Sequence, residues 1–403
     1  MGVDIPVIWF AIIVFATLMY IIMDGFDLGI GMLFSFVGDA KERDVMVNSV
    51  APVWDGNETW LVLGGAGLFG AFPLAYAVII DALTIPLTAM LIGLIFRGVA
   101  FEFRFKATPS HRKFWDYSFA GGSLLATFSQ GIVVGAMING FDVEGRRFVG
   151  SSLDWFTPFN LFCGLGLIVA YTLLATTWLI MKSEGALQNR MRELTRHVLL
   201  ALIAVIAVVS IWTPLGWQFV AERWFTLPNF FWFLPVPVLV AVFSLWIWRL
   251  TRNPDSHARP FLLTLGLIFL GFSGLGISLW PHIIPPHITL WEAAAPPASQ
   301  LFMLIGTLLI IPVILVYTAW SYYVFRGKVS DTEGYHEGLL WQAGIHAPLF
   351  TRLIPPCFTI LTAMAVATSP ESPRSCATSA GWARRLSGSL RFTSRLFSMK
   401  AMT

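Results

Sequence analysis

The sequence predicts an all-α, polytopic membrane protein whose chain crosses the bilayer about nine times, as two four-helix units followed by one further helix. Three observations support this fold class. Hydrophobic residues make up 56% of the 403 residues and charged residues only 12%, which is too little charge to cover a soluble globule. The apolar residues form separate windows of membrane-spanning length. The basic residues alternate between the loops on the two sides.

A window of about 20 apolar residues is needed to cross a hydrocarbon core of about 30 Å as a helix. Nine such windows occur, at residues 7–36, 57–80, 82–103, 117–139, 158–181, 197–214, 229–250, 260–281 and 299–325. The second and third windows are separated only by a short stretch near Pro73 and Asp81. The first window has neither a basic segment before it nor a small-residue cleavage site, so we expect a retained helix rather than a signal peptide.

Loop charge predicts the orientation of the chain. The loops after the first, third, fifth and seventh windows carry thirteen Lys and Arg residues, whereas the opposite loops carry three. Because cytoplasmic loops carry the excess of basic residues, we expect a periplasmic N-terminus and a cytoplasmic C-terminus. The net charge is only +3 and the basic residues form no continuous stripe, so we expect no nucleic-acid partner.

A weak internal repeat relates the two halves of the chain. The window that begins at Pro6 is similar to the one that begins at Pro158, and "FSQGIVVG" from Phe128 is similar to "SGLGISLW" from Ser273. A parallel repeat of two four-helix units would explain both similarities, and chance similarity between apolar helices is the alternative. The predicted division is 1–140 and 141–298 for the two units, 299–336 for the ninth helix and its cytoplasmic end, and 337–403 for a C-terminal tail.

The tail differs in composition from the rest of the chain. It ends in a Ser- and Arg-rich stretch, and its apolar segment "LIPPCFTILTAMAVA" is short for a span and interrupted by prolines. We therefore expect no tenth span there. Translation past a stop codon or in a shifted frame, a lineage-specific extension and an artificial addition would each explain the tail.

Charged residues inside membrane spans are rare and mark ion or proton paths by default. The first window contains Asp24 and Asp27, three residues apart on one helical face, and the second opens with Asp55 and Glu58 at the same spacing. The third window supplies Arg97. Glu102, also in the third window, is closer to a loop, and we expect it to be a solvated helix end. The predicted topology brings these groups to the cytoplasmic side of three adjacent helices.

Two interpretations of this cluster remain open. An arginine stabilises neighbouring carboxylates in their charged form, whereas a carboxylate in apolar surroundings can carry a proton, and that mixture suits a proton path. The alternative is a buried ion-pair clasp that holds the helices together. For the whole protein, a secondary transporter that uses intramembrane carboxylates is the alternative function, although a transporter site is expected near the bilayer midplane. A purely structural membrane scaffold is a further alternative.

Cysteines and histidines do not form a recognisable cofactor site. The three cysteines have neither CxxC nor Cys/His spacing, so we expect no metal and no disulfide framework. Buried haem needs axial ligands inside spans, but six of the seven histidines lie in loops or tails and the seventh, His197, begins a span. The sequence also lacks a phosphate-binding loop and a nucleophile elbow, so we expect no catalytic residue of the soluble-enzyme type.

Three motifs together resemble a known family. "MDGFDLG" from Met23, "WDGNETWLVLGGAGLFGAFP" from Trp54 and "FRG" from Phe96 are similar to subunit II of the cytochrome bd type quinol oxidases. Within that family, the sequence more specifically resembles the cyanide-insensitive branch. The short subunit II of that branch ends soon after a segment like "GYH", here Gly334 to His336. The resemblance covers about residues 1–336, and the tail has no counterpart.

The resemblance implies a complex in the bacterial inner membrane that oxidises quinol and reduces dioxygen to water. It implies two b-type haems and one d-type haem, all ligated by subunit I, and a subunit II that serves as scaffold and contributes to cytoplasmic proton access. The other implied partners are a small accessory subunit, membrane lipid, quinol and a structural quinone whose location the sequence does not indicate. Proton-path roles would fall on Asp24, Asp27 and Asp55, with Glu58 and Arg97 as supporting neighbours.

Overall fold

The computed structural model describes residues 4–329, which are mostly α-helical. In chain order the helices are α1 (Ile5–Leu33), α2 (Ala40–Asn48), α3 (Trp54–Ala71), α4 (Pro73–Ala82), α5 (Thr84–Lys106), α6 (Pro109–Asn139), α7 (Pro158–Lys182), α8 (Gly185–Gly216), α9 (Gln218–Phe225), α10 (Asn229–Phe233), α11 (Pro235–Leu250), α12 (Arg259–Leu279), α13 (Leu290–Ala293) and α14 (Pro297–Val324). One turn of 3-10 helix, Phe34–Phe36, extends α1.

Two small antiparallel hairpins complete the described secondary structure. The first pairs β1 (Val143–Glu144) with β2 (Arg147–Phe148), in the connection between α6 and α7. The second pairs β3 (His282–Ile284) with β4 (Ile288–Thr289), before α13. Both hairpins lie between spans, so the prediction of an all-α membrane fold is confirmed.

Eight helices between residues 4 and 329 are long and apolar enough to cross a membrane, and the number is nine if one bent pair counts as a span. The bent pair is α3 and α4, which meet at an angle of 117°. The predicted span at 57–80 therefore corresponds to a pair of helices with a sharp bend between them. Pro73 is the physical reason: it lacks an N–H to continue α3 and its fixed φ suits the first position of a new helix. With 18 residues, α3 alone is about 27 Å long.

The second half of α1 is the centre of the described bundle. Every residue from Met23 to Leu33 is buried, including both aspartates. Close packing there depends on Gly29, because a Cβ at that position would lie 2.1 Å from the Tyr171 carbonyl oxygen on α7. Small residues allow membrane helices to approach in this way. A polar side chain on this half of α1 therefore has only neighbouring helices as partners.

Of the two glycines that directly follow Asp24 and Asp55, only one lies close to another helix. A Cβ on Gly25, next to Asp24, would lie 3.0 Å from the Tyr171 ring. A Cβ on Gly56, next to Asp55, would meet its nearest neighbour only at 3.6 Å, which is an ordinary contact. The division into two four-helix units stays a prediction. The tail at 337–403 and the "GYH" segment lie outside the described residues.

Candidate functional site

A buried ion pair joins α1 to α5. Arg97 and Asp24 both have fully buried side chains, and the Arg97 Nη2 bonds to Asp24 Oδ1. The same Nη2 lies 3.1 Å from Glu58 Oε1 on α3, so one guanidinium connects carboxylates on two other helices. The Arg97 Cζ also lies 5.7 Å from the centre of the Trp54 ring and 5.8 Å from that of Phe101. Both rings lie within the range of cation–π attraction, and their apolar surface lowers the local dielectric and strengthens the charge–charge attraction.

Asp27 has a different environment from Asp24. Its Oδ2 accepts a 2.8 Å hydrogen bond from Nδ2 of Asn57, a buried side chain in the first turn of α3. The Asn57 Oδ1 in turn accepts a 2.9 Å hydrogen bond from the Tyr322 hydroxyl on α14. Asp27 is thus bonded to a neutral amide, whereas Asp24 is bonded to a cation.

A third group of polar side chains extends the cluster away from α3 and α5. Gln130 Nε2 on α6 donates a 2.7 Å hydrogen bond to the Tyr20 hydroxyl, one helical turn before Asp24. The Tyr171 hydroxyl on α7 donates a 3.0 Å hydrogen bond to Gln130 Oε1. The buried ionic cluster therefore consists of charged and uncharged groups contributed by α1, α3, α5, α6, α7 and α14.

Several atoms in the cluster have no hydrogen-bond partner among the described residues. They are Asp24 Oδ2, Asp27 Oδ1, Glu58 Oε1, Arg97 Nε and Arg97 Nη1. Burying such groups without partners costs several kcal/mol each, so they favour ordered water or a shared proton at the same place. The chemistry that this arrangement can support is proton binding and transfer between carboxyl groups.

Two of the acidic residues singled out in the sequence lie outside the buried cluster. Asp55 is exposed on the first turn of α3, one turn before Glu58, whose side chain is 28% exposed. Glu102 is exposed and pairs with Lys106 at 3.6 Å on the same helix. The structure therefore brings together Asp24, Glu58 and Arg97, places Asp27 beside them, and leaves Asp55 at the surface.

The cluster lies deeper than the sequence analysis expected. Arg97 is about 3 Å from the midpoint of α5, and Asp27 is about 9 Å before the end of α1. The short helix α2 and the turn after it lie beyond this point and precede α3. The cluster therefore extends from a helix end towards the middle of the bundle, rather than lying only at one face.

A second ionic network, which the sequence analysis treated only as loop charge, lies at the predicted cytoplasmic end. The almost fully buried Arg104 on α5 bonds to Asp116 Oδ1 on α6 at 2.7 Å and to Asp44 Oδ1 on α2 at 2.8 Å. Arg43 and Arg112 bond to the same two aspartates. This network attaches α2 to the ends of α5 and α6.

The residues that sequence reasoning missed are the uncharged ones. Asn57, Gln130 and Tyr322 are polar side chains in otherwise apolar helices, and a census of charges does not detect them. A buried amide in a membrane span itself indicates a contact between helices, since the amide needs a hydrogen-bond partner in the bundle. Gln130 lies in "FSQGIVVG", one of the segments on which the predicted internal repeat rests.

A cavity of about 260 Å³ lies at the other end of α6. Its polar lining includes Asn139, Asp142, Asn160 and His287, with Trp155 among the aromatic residues. None of the cluster residues lines it. The cavity and the buried ionic cluster are therefore separate features of the described region.

Comparisons with known proteins agree on one family. Residues 5–325 match the family model described as cytochrome bd terminal oxidase subunit II. The cytochrome bd-I ubiquinol oxidase subunit 2 of Escherichia coli K12 is 29% identical over 367 residues, covering 81% of this chain and 95% of that protein. The cytochrome bd ubiquinol oxidase subunit 2 of Bacillus subtilis is 28% identical over 343 residues, covering 81% and 97%.

A solved structure has the same fold. A chain in the structure of bd oxidase from Geobacillus thermodenitrificans matches with a TM-score of 0.64 and 18% identity, covering 81% of this chain and 100% of that one. The family match extends over well more than half of the sequence and includes every residue of the buried ionic cluster. This chain belongs to the cytochrome bd terminal oxidase subunit II family.

Proposed function

We propose that this chain, as subunit II of a quinol oxidase, supports subunit I and gives cytoplasmic protons access to the complex through the buried ionic cluster. Family membership makes it a multi-pass membrane subunit of a bacterial respiratory oxidase, a haem-containing complex with a subunit I. The observation that supports this proposal is a series of carboxylates of increasing burial. It begins with exposed Asp55, continues with partly buried Glu58 and ends with fully buried Asp24 and Asp27. The loop charges support the periplasmic N-terminus and the cytoplasmic C-terminus.

The described residues of this chain, 4–329, do not suit a buried haem between histidines. Within residues 4–329, only His111 and His197 lie in candidate spans, and both are exposed. His111 is in the first turn of α6, and His197 Nδ1 lies 3.1 Å from the Glu193 carbonyl oxygen. We therefore assign the two b-type haems and the d-type haem of the complex to subunit I. A test is the absorption spectrum of the isolated chain, and a haem spectrum lost on changing His197 would contradict the assignment.

The remaining partners follow from the family rather than from a site in this chain. We propose a quinol as the electron donor of this complex, because the names of two relatives specify ubiquinol. A small accessory subunit, membrane lipid and a structural quinone are further proposed partners. Exposed Asp55 and Thr59 lie on one face of α3 and would be costly against lipid, so we propose that another protein chain covers this face.

The geometry gives Asp27 and Asp24 different parts in the proposed path. A proton carrier must exist in charged and neutral forms, and both forms of Asp27 are compatible with its neutral partner Asn57. Asp24 is bound directly to Arg97, and its protonation would leave that buried cation with only Glu58 as an ionic partner. Asp27 is therefore the favoured carrier, Glu58 and Asp55 lead to it from the surface, and Asp24 with Arg97 holds the local charge balance.

The test is Asp27→Asn in the assembled complex. This change keeps the shape of the side chain and removes its titration. We expect normal haem content and a loss of quinol-dependent oxygen consumption of about tenfold or more. The matched control is Glu102→Gln, an isosteric change at the exposed pair with Lys106, which should leave turnover unchanged. Normal turnover in an assembled Asp27→Asn complex would reject the carrier role.

A further inference from the structure

Tyr322 reaches the buried ionic cluster from the last turn of α14. Its hydroxyl is 2.9 Å from Asn57 Oδ1, although 265 positions separate the two residues in the sequence. Its ring contacts Trp178 of α7 edge-on, with 6.2 Å between the ring centres. Tyr322 is thus held between α3 and α7, and its hydroxyl is directed at the residue that bonds to Asp27.

The Tyr322 hydroxyl completes the hydrogen bonding of the Asn57 amide. Asn57 Nδ2 donates to Asp27 Oδ2 at 2.8 Å and lies 3.3 Å from the Met23 carbonyl oxygen. Both of these partners are acceptors, so the NH₂ group must face them and the Oδ1 must face a donor. Tyr322 supplies that donor. A flipped amide would place its oxygen against the Asp27 carboxylate and the Met23 carbonyl oxygen, and both of those interactions would be lost.

The end of α14 is anchored independently of Asn57. Lys182 Nζ at the end of α7 donates a 2.7 Å hydrogen bond to the Phe325 carbonyl oxygen. The Val329 N–H donates a 2.8 Å hydrogen bond to the Lys182 carbonyl oxygen. These bonds fix the last turn of α14 against α7, and with it the height of the Tyr322 hydroxyl.

We propose that Tyr322 is a positioning residue that acts through Asn57 to favour the charged form of Asp27. The inference rests on the proposed function, in which Asp27 exchanges protons. The other titratable or charged groups that face Asp27 are Asp24 on α1, Glu58 on α3 and Arg97 on α5. Next to them, α6 and α7 present Gln130 and Tyr171. None of these side chains bonds to Asn57, so the hydrogen bond from Tyr322 acts on the amide separately from the ion pair.

The first test compares Tyr322→Phe with Tyr323→Phe in the assembled complex. Both changes remove one hydroxyl, but Tyr323 is exposed at 59% and faces away from the cluster. Infrared difference spectra recorded over a pH series would follow the carboxylic acid band, assigned by its loss in Asp27→Asn. We expect the midpoint of that band to move to higher pH by about one pH unit in Tyr322→Phe. We expect no movement in Tyr323→Phe.

The second test is a double-mutant cycle. If Tyr322 acts through the amide, Tyr322→Phe should produce no further shift of the midpoint in an Asn57→Ala background. Additive shifts would overturn the proposal, as would an unshifted midpoint in the single variant. Failure of Tyr322→Phe to assemble, when Tyr323→Phe assembles, would also overturn it by assigning Tyr322 a structural role.

Turnover separates this proposal from the proposed function. If both are correct, the alkaline limb of the pH profile of oxygen consumption moves with the infrared midpoint. A moved midpoint with an unchanged profile would support the positioning role of Tyr322 and reject Asp27 as the carrier. A changed profile with an unmoved midpoint would reject the positioning role alone.

Discussion

Arg97 on α5 and Asp24 on α1 form an ion pair in which neither side chain is exposed. Removing two charges from water is costly, and only good geometry and additional bonds offset that cost. Glu58 provides a second ionic contact, with its Oε1 3.1 Å from the Arg97 Nη2. The pair therefore depends on both partners, and we expect its two members to respond to mutation as a unit.

The first prediction concerns this dependence. Asp24→Asn should destabilise the subunit by about 3–5 kcal/mol, because it removes the main counter-charge of a buried guanidinium. The expected result is reduced assembly, measured as the yield of haem-containing complex. The double variant Asp24→Asn with Arg97→Gln should recover much of that yield, since no uncompensated charge remains.

Some Asp24→Asn complex should still assemble, and its turnover distinguishes an ion-pair role of Asp24 from a proton-carrying role. Full turnover per haem would support the ion-pair role. Good assembly with slow turnover would show instead that Asp24 also carries protons, as the sequence analysis suggested for Asp24 and Asp55. Glu102→Gln is again the control, because its pair with Lys106 is exposed.

The second prediction concerns the packing that positions Arg97. A Cβ on Gly122 of α6 would lie 2.6 Å from the Gly93 carbonyl oxygen and 2.9 Å from the Arg97 backbone nitrogen. Gly122→Ala should therefore separate α5 from α6 and cost about 1–3 kcal/mol or more. The neighbouring Gly121 has no atom within 4 Å of its added Cβ, so Gly121→Ala should be neutral or slightly stabilising. Thermal unfolding of the two purified variants would compare them, and equal stability would contradict the close helix approach.

Much of the fold follows from hydropathy, because a bilayer requires long apolar helices. Hydropathy does not indicate the direction in which a helix runs. The bend between α3 and α4 at Phe72 was therefore not predicted, although the sequence contains Pro73 there. Helical spacing and topology placed Asp24, Glu58 and Arg97 on one side of three adjacent helices, and these residues do meet. The contact between Tyr322 and Asn57 depends on how α14 packs against α3, which the sequence pattern does not specify.

The third prediction concerns His257, in the connection between α11 and α12. Burial, and then the cations Lys328 and Arg192, lower the pKa of His257 below its usual range. Its Nδ1 lies 3.2 Å from Gln188 Nε2 and 3.3 Å from Arg192 Nη2, so it accepts as the neutral ring. A folded-state pKa below the unfolded value means that the histidine's contribution to stability is complete above about pH 6.5 and is lost as the pH falls through the folded pKa.

Unfolding temperatures of the purified complex at about pH 7.5 and about pH 5.5 would test this sign. We expect the wild-type complex to lose more stability on acidification than His257→Gln, whose side chain still accepts a hydrogen bond but does not titrate. The control is His111→Gln, at an exposed histidine in the first turn of α6. An equal loss in wild type and His257→Gln would contradict the prediction.

The last prediction concerns where the functional chain can end. The family match ends at residue 325, and the described contacts that fix the end of α14 reach Val329. A chain that ends after His336 keeps both, so we expect normal assembly and normal oxygen consumption without the predicted tail at 337–403. The measurement is haem content and quinol-dependent oxygen uptake of the purified complex.

The matched control ends the chain after Val324. It removes the Phe325 carbonyl oxygen that accepts from Lys182 Nζ and the Val329 N–H that donates to the Lys182 carbonyl oxygen. Lys182 would then be a largely buried cation without that partner, at a cost of about 1–3 kcal/mol. The last turn of α14, which carries Tyr322, would lose its anchor. We therefore expect the shorter chain to show poor assembly or an altered pH profile. Loss of the complex on truncation after His336 would instead show that the tail binds at a specific place.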